Sequence, residues 1–511
     1  MIKKQRIRNL IFILIVSFTG NLLFASGYNV KTYGAVGDGK TIDSPAINKA
    51  IDAAAEAGGG TVYFPAGTYL CFTIRLKSHI GLFLDHGAVI LAASPSEHKG
   101  GYDPAEQNEW DIYQDHGHSH WQNSLIWGEG LEDISITGPG KIDGKGLRRW
   151  DTDKAGEGNK AIALKNCRNV TIRDITMQTC GHFCILPTGV DNFTIDNLRI
   201  DTNRDAINID CCRNVSISNC RINTPNDDAI VLKSSYALGY PRITENVMIT
   251  NCSVSGYDEN TLLDGTFKKT QKQAPDKGSV TGRIKFGTES NGGFQSITIT
   301  NCTFDHCRGL ALETVDGGIL EDITISNITM NDITNAPIFL YLGRRLRAPE
   351  GTAIGGMRRI IISNLIVNNA NPEDASLITG IPGHHIEDVK LSNIQILVKG
   401  SAPKEYMDIE VPELEDGYPD PMYFGKMPAC GFFIRHVNGI EFNNVEIRFI
   451  NEDFRPAFVL DDVQNADFNH IKTEKVQDSP TFLLKNARNI KIHECQSVPD
   501  TKLESVEQKK L

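Results

Sequence analysis

From Asn169 onward, apolar and polar residues alternate in short runs that return again and again. The unit reads N-V-T-I-R-D-I-T-M from Asn169, N-F-T-I-D-N-L-R-I from Asn192 and N-V-S-I-S-N-C-R-I from Asn214. It recurs from Asn246, Ser296, Asp322, Arg359 and Asp388, and in weaker form from Gly439, Asn465 and Asn489. Strict alternation marks a strand with one buried face. Successive starts lie 22 to 51 residues apart, and the shortest spacings, 22 to 26, set one basic coil. Short strands on such a period predict an all-β chain, a single-domain right-handed parallel β-helix. The longer spacings hold insertions, expected on one side as walls of a groove.

The sixth place of the unit is Asn at 197, 219, 251, 301, 327, 364, 393 and 444. An Asn at one fixed turn can bond its amide to the coils above and below, so an internal ladder is expected. Cys220, Cys252 and Cys302 each follow such an Asn. They read as small buried residues stacked coil on coil rather than as disulfide partners. One amphipathic helix is expected at Ser44 to Ala57, with Ser44 or Asp43 as cap and Gly58-Gly59-Gly60 as its end. It would cover the open end of the stack.

The net charge of −11 and a pI near 5.7 argue against nucleic acid or an anionic membrane as partner. Residues 1–26 read as a signal peptide: a basic start, an apolar core at Leu10–Phe18, and small residues near Ala25-Ser26-Gly27. Residues 27–511 then form the β-helix domain of an exported monomer, periplasmic or extracellular. No cofactor is expected. A metal is not expected at Cys180/Cys184 or Cys211/Cys212, which lack partners to complete a tetrahedral set.

Candidate chemistry centres on Asp205, Asp227 and Asp228. The separations from Asp205 are 22 and 23 residues, one coil. The three carboxyls therefore meet on neighbouring coils. Like charges that close do not all ionise, which leaves one acid protonated beside an ionised base. The alternative reading of Asn-Asp-Asp is a plain turn between strands.

The opening V-K-T-Y-G-A-V-G-D-G, the I-T-G-P-G-K-I-D-G-K-G from Ile136, and the blocks Asn203-Arg204-Asp205 and Asn226 to Ser234 resemble glycoside hydrolase family 28, the polygalacturonases. The resemblance runs from about Tyr28 to the last coils. It implies inverting hydrolysis of a pectin-like, uronic-acid-containing glycan, of polygalacturonase, exo-galacturonidase or rhamnogalacturonan type. Asp227 would protonate the leaving oxygen, and Asp205 and Asp228 would hold the water. Inversion calls for carboxyls roughly 6.5–9.5 Å apart. The family's G-H-G is missing after the Asn246 unit. Its R-I-K, which binds a substrate carboxylate, matches Arg283-Ile284-Lys285, although the next coil, from Arg308 to Glu313, also fits that place.

Arg283, Lys285 and Lys233 would form the local basic site an acidic sugar needs; the alternative for the first two is solvated surface. Glu289 would orient a sugar hydroxyl or pair with Lys285. His182 would line a subsite or be a buried structural residue, and Trp121 or Trp127 would stack on a sugar face. His116, His118 and His120 alternate but lack an accompanying carboxylate or Cys set, so polar loop contacts are the expectation. A polysaccharide lyase and a non-catalytic glycan-binding β-helix are the alternatives. Insertions at Ser94–Trp127, Tyr257–Gly282 and Lys399–Ala429 would close the groove and make the enzyme exo-acting, with charges of the second meeting a chain end.

Overall fold

The computed structural model describes residues 27–115, 117–149, 158–270, 280–477 and 479–511. Among the described residues, thirty-three strands hydrogen-bond into one parallel coil from Tyr28 to His493, closed by a single antiparallel strand, Thr501–Lys510. Three faces run the length of the stack. The first contains Arg168–Arg173, Asp191–Asp196 and Arg213–Ser218 in register. The second contains Thr176–Gln178, Arg199–Asp201 and Arg221–Asn223. The third contains Phe183–Thr188, Ile207–Asp210, Ile230–Ser234, Ile284–Ser290 and Leu310–Thr314.

The repeat unit is the first face, a corner and the second face. Every unit start and every sixth place is a left-handed corner: Asn192 has φ 54°, Asn197 52°, Asn214 56° and Asn219 58°. Asn tolerates that region because its short amide bonds locally. The ladder forms, but on the outside. Asn327 donates to Asn301 at 3.1 Å, Asn364 to Asn327 at 3.0 Å and Asn393 to Asn364 at 3.0 Å. All of these side chains are exposed. The expected internal ladder is thus corrected: a left-handed corner turns its own side chain to solvent and the next one inward. Those next residues, Leu198, Cys220, Cys252, Cys302 and Ile328, are buried. All twelve cysteines are free thiols, eleven of them buried.

The helix is observed at Ser44–Glu56, with Ile47, Ala50, Ile51 and Ala54 buried against the first coil. Asp43 stands at its start but does not cap it. Its carboxylate instead accepts from the backbone N–H groups of Val36 and Gly37, at 2.7 and 2.9 Å.

On the third face, alternate side chains point out of the coil. In register these are Trp127, Ala163, Leu186, Asn208, Val231, Lys285, Ala311, Phe339, Leu377, Phe433, Val459 and Leu483. Two insertions cover the apolar ends of that row. Trp121 packs on Ala163, Phe183 and Leu186. Met407, Phe424 and Met427 of the 401–431 insertion pack on Phe339, Leu377 and Phe433. Asn208, Val231 and Lys285 lie in the gap.

Candidate active site

Asp205 and Asp228 hold equivalent places on adjacent coils, each two residues before a paired isoleucine, Ile207 and Ile230. The backbone N–H of Asp228 donates to Asp205 Oδ1 at 3.0 Å and to Asp227 Oδ1 at 3.1 Å. One carboxylate oxygen from each of the three aspartates lies within 4.8 Å of the others. They face a cavity of about 220 Å³ together with Asp115, His118, His182, Arg204, Lys233, Lys285, Tyr418 and Asp420.

Each carboxyl has a different electrostatic setting. Asp228 Oδ1 accepts from Arg283 Nε at 2.9 Å, and Lys285 Nζ stands 3.9 Å from Oδ2. Asp227 Oδ2 pairs with Arg204 at 2.9 Å. Asp205 is buried, and burial together with the Asp227 charge pushes its carboxyl well above the usual range against the pull of Lys233. It hydrogen-bonds to Asp227, so the proton belongs to the pair.

The basic residues are buried, not solvated surface. Arg283 is 3 % and Lys285 2 % exposed. Burial opposes the charge of Lys285, but Glu313, Tyr418 and Asp228 raise it. Glu313 lies 3.3 Å from Lys285 Nζ and is pushed up to about 7 by burial, against the pull of Lys285 and Arg283. Arg283-Ile284-Lys285 occupies the coil directly after Asp227-Asp228, because Ile284 pairs with Ile230. Arg308 lies one coil further on and pairs with Asp420 of the 401–431 insertion.

Glu289 pairs with Lys233, not Lys285: Lys233 Nζ donates to Glu289 Oε2 at 2.7 Å. Burial works against the Glu289 charge, but the cations Lys233 and Arg345 hold the carboxyl well below the usual range. Glu289 is fully buried and lies behind Lys233, outside the cavity lining. Trp121 is also corrected. It is 1 % exposed, its indole N–H donates to Thr188 at 3.1 Å, and Lys165 covers its ring at 4.5 Å, so it presents no face to a sugar. Trp127 is half-buried and donates to Asp103 at 2.9 Å. His182 does line the cavity, its ring packed on Phe183 at 4.1 Å.

Residues 257–270 fold against the second face, where Asp201 accepts from the backbone N–H groups of Asn260, Leu262 and Leu263. Asp258 bonds to Thr270, Asp264 to Thr266 and Lys269 to Asp332. This part of the second insertion does not line the cavity. Lys272 and His116 lie outside the described residues. The walls come from the other two insertions, through Asp115 and His118 on one side and Tyr418, Asp420, Met422 and Tyr423 on the other.

The two insertions were expected as walls, but not which of their residues reach the site, since insertions carry no periodicity from which to place them. His118 is the most informative. It is 3 % exposed, burial and the nearby Lys233 hold it down to about 3, and its ring stays neutral. Two histidines, His118 and His182, thus face the cavity. Arg204 stands where the family motif has Thr, a signal present in the sequence but given no role there.

A parallel β-helix with this carboxylate trio in a walled cavity fits a glycoside hydrolase, the class to which the comparisons point. Residues 109–257 match the model of the glycosyl hydrolases family 28, and residues 27–83 match that of rhamnogalacturonase A/epimerase, pectate lyase-like. Over those stretches the chain is similar to glycoside hydrolase family 28 and to pectin-active β-helix proteins. It is 25% identical over 412 residues to a probable polygalacturonase of Vitis vinifera, covering 74% of this chain and 76% of that one. In fold it resembles the family 28 exopolygalacturonase of Yersinia enterocolitica, with a TM-score of 0.62 and 20% identity over 89% of this chain and 78% of that one. It also resembles the hyperthermoactive exopolygalacturonase of Thermotoga maritima, with a TM-score of 0.55 and 17% identity over 94% of each chain. Among the described residues no helix is long and apolar enough to cross a membrane.

Proposed function

We propose that the protein is an exported, exo-acting hydrolase of uronic-acid-containing glycans. The observation that carries this reading is the carboxylate trio in a cavity walled on two sides, with Arg204 and Lys285 on its lining. Two cations facing one small cavity suit an anionic sugar ring. Walls from both insertions favour a chain end over the middle of a polymer.

In this mechanism the proton shared by Asp205 and Asp227 passes through Asp227 to the leaving oxygen. The glycosidic bond breaks as water attacks the anomeric carbon. The water proton returns to Asp205 or Asp228, which restores the starting charge. The Arg204 pair holds Asp227 ionised before substrate arrives. A uronate carboxylate that draws Arg204 away removes the charge that favours the ionised form of Asp227, so the shared proton moves onto Asp227, from which it is donated.

Product analysis tests the function. Early release of one or two sugar units from polygalacturonate supports it; a ladder of mid-sized oligosaccharides overturns exo-action. Cleavage of rhamnogalacturonan alone would move the substrate within the same class. An ultraviolet-absorbing unsaturated product would instead show a lyase. Against that reading, Asp227 and Asp228 already face Arg204 and Arg283, which leaves poor ground for the calcium ion a lyase would want.

Inversion rests on the family resemblance. The closest oxygens of the trio lie within 4.8 Å of one another, a closest approach and not the separation of whole carboxyl groups that distinguishes the two stereochemical courses. A retaining reaction is the second reading. The anomer first formed, read by proton NMR within the first turnovers, separates the two.

A further inference from the structure

Far from the catalytic coils, His385, His436 and Asp462 occupy the same corner in three successive coils. Ile386, Val437 and Val463, the residues that follow them, pair in register. Coils stack about 4.8 Å apart, so three side chains at one corner can reach a common point. In earlier coils the equivalent corner carries Gly130, Asn166, Gly189 and Cys211; here it carries two imidazoles and a carboxylate.

Their geometry is that of a ligand set. His436 Nδ1 lies 2.7 Å and His385 Nε2 3.1 Å from the same oxygen, Asp462 Oδ2. The three ligand atoms all fall within 4.8 Å of one another. A tetrahedral ion with bonds of about 2.0–2.1 Å places its ligands about 3.3 Å apart, so small shifts would seat one. The other nitrogen of His436, Nε2, lies 3.1 Å from Glu413 Oε2. Arg435 holds the same Glu413 at 3.3 Å. A carboxylate behind a histidine fixes its tautomer and turns the opposite nitrogen toward a metal. His436 is 8 % exposed, so this orientation is set by the fold and not by solvent.

We propose that His385, His436 and Asp462 form a site for one divalent ion of the zinc class, with Glu413 as the group that orients His436. Two imidazoles and one carboxylate suit zinc, with a water completing the set. Glu413 belongs to the insertion that carries Tyr418 and Asp420 to the catalytic cavity. The ion would pin the base of that wall to three coils. It takes no part in bond cleavage.

The test is calorimetric titration of zinc chloride into untagged, chelator-stripped protein at neutral pH. One ion per chain at micromolar affinity or tighter is expected. H436A and D462N should each abolish this binding. E413Q, which leaves the ligands in place, should weaken it about 10- to 100-fold. D227N should bind as the parent does, which separates this site from the catalytic aspartates. Circular dichroism confirms that each variant folds, and the near-isosteric D462N and E413Q carry the test if H436A does not. Absence of saturable binding in the parent, or binding unaffected by both D462N and E413Q, overturns the proposal and leaves a hydrogen-bonded corner.

Discussion

The outward row of the third face can be compared in two stretches. At the catalytic coils it reads Asn208, Val231, Lys285; downstream it reads Ala311, Phe339, Leu377, Phe433. Strand length, pairing and inward packing hardly differ between them. In the first stretch the row is flanked by aspartates and cations, and Lys285 reaches the lining of a cavity. In the second it is apolar and sealed by Met407, Phe424 and Met427. The backbone is one scaffold, and which insertion lands on which side chains decides where it is an enzyme.

The comparison breaks most sharply at the aspartates. D227N and D228N should each lower kcat by about 10³-fold while leaving thermal unfolding nearly unchanged, since acid–base groups contribute on that order. Steady-state rates and a melting curve check both halves. Introducing a charge into the sealed stretch should do the reverse. F339K buries an ammonium against Phe424 and Tyr341 and should cost about 3 kcal/mol or more of stability. Urea unfolding measures it, and an unchanged midpoint would mean the insertion does not seal that face.

A finer cut removes one cation from the open stretch. K285A should reduce kcat/KM on uronate oligosaccharides by roughly 30-fold, at the low end of a buried charge pair. It should do so mainly through KM. An equal loss on an uncharged analogue would show damage to the site rather than loss of a carboxylate contact.

The smallest effect concerns pH. His118 is held down to about 3, below its free value of 6.5. A depressed histidine gives stability that is complete above the unfolded value and is lost as pH falls toward the folded one. Its share at pH 5.5 is a loss on the order of 1 kcal/mol. H118N should remove that share of the pH dependence between 6.5 and 3, read from melting curves in a pH series. Asp205 acts in the opposite sense. Its raised carboxyl favours the fold below the ordinary carboxylate range and loses that contribution as pH rises through its folded value, so activity should fall with the shared proton on the alkaline side.

The coil and the trio were legible in the sequence for one reason: the separation of Asp205 from Asp227-Asp228 equals the coil period. The corners were legible too, through Asn at the sixth place. The direction of those amides was not, because alternation alone does not say which side of a left-handed corner faces water. Trp121 was misread because an aromatic in an insertion has two possible partners, a ligand or the apolar patch beneath it. Ala163, Phe183 and Leu186 supply that patch. The Arg204 pair with Asp227 needed coordinates, since one substitution in a motif does not show where a long side chain goes. His385, His436 and Asp462 stand 51 and 26 residues apart, with a whole insertion between the first two. No local spacing rule reaches that far.

A stack of identical corners has no natural length. Each coil presents an edge to the next, and nothing in its geometry says where to stop. Thirteen coils on the third face make a rod of roughly 60 Å at about 4.8 Å per coil. At one end the helix Ser44–Glu56 lies across the first coil; at the other, Thr501–Lys510 runs backwards along Phe482–His493. The reversed strand matters because it satisfies the last edge with a partner whose own direction breaks the parallel repeat. These two stops are what make the chain a molecule of fixed length rather than a subunit of a fibre.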